Sequence, residues 1–211
     1  MVRTADFKAN MISLFYPYVS EKARKRAYET LGGRWIGQGK RVEQFERMFE
    51  KKIGRYAVAT NSATSALELI YHMMDFKLDD EVIVPVYTCT ATTIPLARCG
   101  VNIVFADVKD DLMLDFNDVK KKITDRTRAV INVHLCGKYN QAPKLPVPII
   151  GDSAQYVGKT EGELFTAYSF QATKIITTVD GGMLCVNVKR TTNVPNCSVG
   201  MASTAPPLRT I

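Results

Sequence analysis

The chain has 211 residues, of which 46% are hydrophobic and 23% charged, and it carries a net charge of +7. That length can bury a full core within one domain of ordinary size, and the balance is that of a globular protein, not a disordered or fibrous one. The basic excess falls in stretches such as Lys22 to Arg26 and Lys120 to Lys122, with no interleaved aromatics and no binding motif, so it reads as solvated helix faces and not as a nucleic-acid surface.

Residues 1 to 20 form an irregular lead-in with an aromatic cluster, Phe15-Tyr16-Pro17-Tyr18. Ser20-Glu21 starts a charged helix that runs to about Thr30. A glycine-rich loop, Leu31 to Gly39, follows. Val42, Phe45, Met48 and Phe49 then recur at helical spacing, which predicts an amphipathic helix over 41 to 52. Tyr56 to Thr60 reads as a short strand, and Asn61-Ser62-Ala63-Thr64 turns into a helix from Ser65 to Met74 with Leu67, Ile70, Tyr71 and Met74 on one face. A strand, a turn of small hydroxyl residues and a helix N-terminus can cradle an anion on free backbone N–H groups. The same residue types also make an ordinary N-cap, and the local pattern leaves both readings open.

Glu81 to Pro85 is the next strand, and Tyr87 to Thr92 opens the helix after it. Asn102 to Val108 is a strand ending at Asp107, Asp115 to Ile123 a capped helix, and Arg128 to Leu135 a strand that closes on His134-Leu135-Cys136-Gly137. A histidine at a strand end is more often structural than catalytic, and His72, on a helix beside apolar residues, is read the same way. Val147-Pro148-Ile149-Ile150 is a buried strand running into Asp152. Ser169 stands between Tyr168 and Phe170, Lys174 follows in a mostly uncharged loop, and Gly181-Gly182 breaks into a last strand, Met183 to Asn187. Alternating strands and helices predict an α/β domain with a mostly parallel sheet, whose ligands bind at the C-terminal ends of the strands. Thr60 to Thr64, Pro85 to Thr90, His134 to Gly137 and Asp152 all fall at such ends. An acid at a strand end and a lysine in an uncharged loop can together hold an electron-sink cofactor, the acid keeping a pyridine nitrogen protonated and the amine bonding an aldehyde.

The five cysteines are odd in number and scattered without CxxC spacing, which argues against a disulfide framework or a zinc site and for a reducing compartment. The first ten residues have no apolar core of a signal peptide, and no run of the chain approaches membrane-spanning length. A cytoplasmic protein without nucleic-acid or membrane partners is therefore expected.

Asp152-Ser153-Ala154-Gln155, Ser169-Phe170-Gln171-Ala172-Thr173-Lys174 and Asp180-Gly181-Gly182, in that order, resemble the core of the DegT/DnrJ-type sugar-nucleotide aminotransferases. The upstream segments WIGQGKRVEQFE and SATSAL resemble the entry loop and phosphate-binding turn of that family, with Ala63 where many relatives have glycine. The resemblance covers roughly residues 12 to 187. It implies the three-layer large domain of the aspartate-aminotransferase fold, the cofactor pyridoxal 5'-phosphate (PLP), and amino transfer from glutamate to a keto-sugar nucleotide in polysaccharide or amino-sugar biosynthesis. It also implies a homodimer. Carried onto this chain, the family pattern makes Lys174 the catalytic amine, Asp152 the partner of the ring nitrogen, Gln155 the partner of the ring hydroxyl, and Ala63, Thr64 and Ser169 the phosphate anchors. Cys89 stands where relatives carry an aromatic that stacks on the ring. A polarizable thiol in that role and a small buried filler are both open readings, with Tyr87 as a substitute stacking partner.

The chain departs from the family in two short segments, Gly137 to Asp152 and Gln155 to Ser169, the latter read only as a compact link. Residues 1 to 187 are read as the large domain and 188 to 211, rich in Thr, Ser and Pro, as an irregular tail, with the small C-terminal domain of the family absent. A catalytically inactive chain that keeps the fold and some cofactor binding is the alternative expectation. A lysine-free dehydratase chemistry is disfavoured by Lys174.

Overall fold

A computed structural model describes residues 16–187. The expected tail at 188–211, and Phe15 with the lead-in before it, lie outside the described residues. Helix α1 (Glu21–Leu31) begins where the sequence places it, with the Ser20 hydroxyl accepting the Ala23 N–H at 3.2 Å, and none of its residues is buried. Helix α2 (Lys40–Ile53) ends at Gly54, whose φ of 73° lets its N–H return to the Glu50 carbonyl at 2.7 Å. Its buried stripe is Phe49 and Ile53 with Phe45 partly covered, whereas Met48 is 64% exposed. Met48 precedes Phe49 by one position, about 100° around the helix, and so leaves the contact line.

The remaining elements are β1 (Tyr56–Thr60), α3 (Ala63–Met73), β2 (Glu81–Pro85), α4 (Thr90–Arg98), β3 (Asn102–Ala106), α5 (Phe116–Lys122), β4 (Thr127–Val133), β5 (Ile149–Ser153), β6 (Phe165–Ser169) and β7 (Gly182–Val186). Several boundaries differ from the sequence reading: α4 starts at Thr90 and not at Tyr87, β4 ends at Val133 and not at Leu135, and two others differ for a local reason the hydrogen bonds show. Helix α3 starts two residues early because Ser62 is its cap, the hydroxyl accepting the Ser65 N–H at 3.1 Å. Strand β3 stops at Ala106 because the Asp107 N–H turns to the Asp118 carboxylate at 2.7 Å. Strand β6 has no counterpart in the sequence reading. It lies inside the segment read as a link, and Thr166 interrupts its apolar run.

The seven strands are ordered β1-β7-β6-β5-β4-β2-β3. All neighbours are parallel except β7, which runs antiparallel to both β1 and β6. The expected mostly parallel sheet is therefore present, and β1 points the same way as β2 to β6. Parallel strands covered on both faces read as continuous apolar runs, as Val82-Ile83-Val84 and Ala129 to Ile131 do. The pleat splits these runs between two layers. Val82, Val84, Ile131, Ile150, Phe165 and Leu184 pack with Leu67, Ile70 and Tyr71 of α3 and Leu96 of α4. On the other face Ile83 and Val130 meet Val119 of α5, while Tyr168, Met183 and Cys185 meet Phe49 and Ile53 of α2. Three layers result, α3 and α4 on one side and α2 and α5 on the other.

The Phe49 ring anchors α2 by edge contacts, its centroid 5.0 Å from Tyr168 and 5.5 Å from Phe170. Truncating a buried phenylalanine of this kind costs about 3–5 kcal/mol. Phe49→Ala should lower the urea midpoint accordingly, while Met48→Ala on the exposed side should leave it nearly unchanged. Equal losses in the two variants would mean that α2 is seated differently.

Candidate active site

The C-terminal ends of β1, β2, β4, β5 and β6, and the start of β7, surround one cavity of about 210 Å³. Ser62, Ala63 and Thr64 reach it from the cap and first turn of α3, Thr88 and Cys89 from the β2–α4 connection with Ala91 from the start of α4, and His134 and Leu135 from just past β4. Asp152, Ala154 and Gln155 come from β5 and the turn after it, Ser169 from the end of β6, and Gln171, Lys174 and Asp180 from the loop between β6 and β7. All seven residues singled out from the sequence, Ala63, Thr64, Cys89, Asp152, Gln155, Ser169 and Lys174, thus line one cavity. Tyr87, the other aromatic weighed for stacking, is 54% exposed and is not among the lining residues.

The β1–α3 turn at the cavity is built by a close approach. In the first turn of α3 the backbone N–H groups lack intrahelical acceptors. Ser62 Oγ takes the Ser65 N–H, and the Ala66 N–H goes to the Ser62 carbonyl at 3.1 Å, which leaves those of Ala63 and Thr64 without a bond inside the helix. The turn lies directly over Gly182, and a Cβ there would sit 2.3 Å from the Ser62 carbonyl carbon and 2.5 Å from the Ala63 nitrogen. Ser62 also bridges to Gly181, and Thr60 Oγ1 donates to the Ser62 carbonyl at 2.8 Å. Ser169, 6% exposed and paired with Gly182 across the sheet, brings its hydroxyl to the same corner.

Asp152 is 4% exposed. Its Oδ2 accepts from Thr92 Oγ1 at 2.8 Å and its Oδ1 from the Ala154 N–H at 3.0 Å. Two neutral donors use about half of a carboxylate's acceptor capacity. Among the described residues no cation forms an ion pair with it. The nearby Tyr71 hydroxyl donates to the Thr92 carbonyl at 3.1 Å. Burial first, and the Asp152 charge second, push the Tyr71 phenol well above its ordinary pKa, so it remains a neutral donor.

The Gln155 carboxamide is oriented by its own surroundings. Its Oε1 accepts the Cys136 N–H at 2.9 Å, and because a backbone N–H only donates, the amide nitrogen is the end left to donate elsewhere. The clamp is closed by the Gly137 N–H on the Gln155 carbonyl at 2.9 Å, with φ values of 52° at Cys136 and 76° at Gly137.

His134 forms part of the wall, yet both ring nitrogens are engaged behind it. Nδ1 accepts the Asn140 N–H at 3.1 Å, and Nε2 therefore carries the proton it shares with Glu163 Oε1 at 2.8 Å. Glu163 is fully buried and also accepts from Asn132 at 3.1 Å and from Thr166 at 2.9 Å, with Arg55 donating to the Thr166 hydroxyl at 2.8 Å. This arrangement agrees with the structural reading of His134. His72 is exposed on α3, away from the cavity. Sequence reasoning gave no role to Thr92, Gln171, Asp180 or Glu163: Gln171 and Asp180 stand within the quoted motifs without a role of their own, and Thr92 and Glu163 belong to no motif.

The sequence pattern of the DegT/DnrJ/EryC1/StrS aminotransferase family matches residues 17–196. A GDP-perosamine synthase of Caulobacter vibrioides is 34% identical over 193 residues, 83% of this chain and 52% of that protein. The structure of Helicobacter pylori PseC, an aminotransferase involved in the biosynthesis of pseudoaminic acid, superposes with a TM-score of 0.74 at 29% identity, covering 83% of this chain and 52% of that one. An Escherichia coli GDP-4-keto-6-deoxy-D-mannose-3-dehydratase with bound hydrated PLP superposes equally well, with a TM-score of 0.74 at 25% identity over 82% of this chain and 50% of that one. The chain spans about half the length of the relatives it matches.

The close approach at Gly182 gives a direct check. Gly182→Ala should force the Ser62–Ala63 turn off the sheet and destabilise the fold by about 1–3 kcal/mol, as overpacking a tight contact does. Thermal melts of this variant beside Gly37→Ala, where an added Cβ meets nothing within 4 Å, should separate a large shift from none.

Proposed function

Because this chain belongs to the DegT/DnrJ/EryC1/StrS aminotransferase family over residues 17–196, we propose that it forms the cofactor-binding part of a PLP-dependent aminotransferase acting on a keto-sugar nucleotide, with glutamate as amino donor. The observation that carries this reading is the convergence of a buried carboxylate, a lysine and a backbone anion cradle on one cavity at the strand ends. The residues fit the cofactor. A buried carboxylate with spare acceptor capacity calls for a cationic donor, since burying its charge without one is costly. A protonated ring nitrogen is such a donor, and the cradle at Ala63 and Thr64 suits the phosphate at the other end of the molecule.

When bound, PLP supplies an electron sink that stabilises negative charge developing at the carbon next to the transferred nitrogen. Asp152 would accept the ring N–H and keep that nitrogen protonated. The free amide end of Gln155 would donate to the ring hydroxyl oxygen. Ala63, Thr64 and Ser169 would hold the phosphate. Lys174 Nζ would stand at the aldehyde end of the cofactor and serve as the base that carries a proton between the two atoms that exchange it. Cys89 borders the cavity at the N-cap of α4 and offers the ring a soft, small contact. The family reading also implies a homodimer in the cytoplasm.

Lysine chemistry separates this reading from dehydration, because Lys174 stands in the cavity. Borohydride treatment of the PLP-loaded chain, followed by peptide mapping, should label Lys174. A label on another lysine with Lys174 unmodified would overturn the assignment.

Asp152→Asn keeps the shape of the side chain and removes its charge. Single-turnover conversion of glutamate by the variant, measured at saturating PLP, should fall by about 10²-fold or more, while the fold and the phosphate cradle persist. A variant that loses thermal stability and retains its rate would instead make Asp152 a structural turn acid.

A further inference from the structure

Behind Asp152 runs a chain of hydroxyls that the reading above does not use. Thr92 is fully buried in α4, and its Oγ1 lies 2.8 Å from Asp152 Oδ2 and 2.8 Å from Thr88 Oγ1. An ionised carboxylate only accepts, so Thr92 donates to Asp152 and its oxygen takes the Thr88 proton. The donors therefore point one way along the chain, from Thr88 at the cavity wall through Thr92 to Oδ2. The backbone of Thr92 is held independently of this hydroxyl, since its carbonyl accepts from Tyr71 in α3. Asp152 Oδ1 is held by the Ala154 N–H, so the carboxylate plane is set by one donor on each oxygen.

We infer that Thr92, supported by Thr88, is a positioning residue: its hydroxyl fixes the Asp152 carboxylate in the orientation that makes the cavity prefer a ring with a protonatable nitrogen over the same ring without one. This rests on the reading of Asp152 as the partner of the ring nitrogen. Without the hydroxyl, Oδ2 loses its donor and the carboxylate swings about the bond to Ala154. A buried charge stripped of a donor also becomes costlier to keep charged. Thr92→Val preserves the shape of the side chain and the backbone contact to Tyr71 while deleting only this bond. Thr92→Ser restores it.

The test compares two probes on the full chain by calorimetry, PLP and its carbocyclic analogue with carbon in place of the ring nitrogen. Both carry the same aldehyde and phosphate, so the ratio of their affinities reports the nitrogen contact alone. Wild-type protein should favour PLP, and Asp152→Asn should abolish the preference. Thr92→Val should reduce the ratio about tenfold, the weight of one hydrogen bond to a charged group. Thr92→Ser should retain it, and Thr88→Val should reduce it by about threefold, since that loss acts through the Thr92 hydroxyl. A ratio unchanged in Thr92→Val, with Asp152→Asn abolishing it, overturns the role of Thr92 and leaves that of Asp152 standing. A wild-type ratio near one, or one that Asp152→Asn does not alter, overturns the Asp152 reading and the inference with it. If Thr92→Val does not fold, Thr88→Val decides alone, a reduced ratio supporting the inference and an unchanged one overturning it.

Discussion

The insertion of β7 between β1 and β6, against the direction of both, is the constraint on which the rest of this structure depends. Six strands point their C-terminal ends at one edge of the sheet, and β7 begins there. Its first residue, Gly182, pairs with Thr60 on one side and Ser169 on the other. Segments more than a hundred positions apart in sequence thereby meet at a single residue. The β1–α3 turn rests on the bare backbone of Gly182, so the anion cradle and the Ser169 hydroxyl share one corner without a side chain between them.

A second constraint lies under the opposite wall. Glu163 is buried and reaches across the face of Gly151, where an added Cβ would stand 3.0 Å or less from both of its carboxylate oxygens. His134, Asn132 and Thr166 supply its donors, and Arg55 reinforces Thr166 from β1's approach. Such a network is stabilising only while complete, because a buried carboxylate left without its donors costs several kcal/mol. It ties the end of β4 to the segment entering β6 across Gly151 of β5. The wall that carries Asp152 and Gln155 is therefore stiff on its far side, which is what a site needing fixed geometry requires.

Electrostatics within the cavity divides into two ends. Around Asp152 the donors are one neutral hydroxyl and one backbone N–H, which hold a negative charge without cancelling it. Around Ser62 to Thr64 the helix start offers partial positive charge. An elongated ligand with a cationic end and an anionic end matches that polarity. The separation of the two ends is set by the sheet, since one belongs to β5 and the other to the turn after β1.

The sequence by itself determined the elements whose signals are local. Periodic apolar residues marked α2 and α3, small polar caps marked the start of α1 and α5, and unbroken apolar runs marked β2, β4 and β5. The family resemblance supplied the site residues, and all seven line one cavity because motif order follows the order of strand ends in this topology. Tertiary structure alone decided what depends on partners distant in the chain. Strand β6 was unreadable because Thr166 breaks its apolar pattern, and that hydroxyl is satisfied only by Arg55, Thr160 and Glu163 once folded. Met48 sits at helical spacing yet faces solvent, because which flank of a stripe is covered depends on where the sheet ends. Thr92 and Glu163 acquire their roles only from carboxylate and hydroxyl contacts across 60 and 29 positions to Asp152 and His134. Hydrogen bonds between distant side chains leave no period or spacing in a sequence, so only the folded chain reveals them.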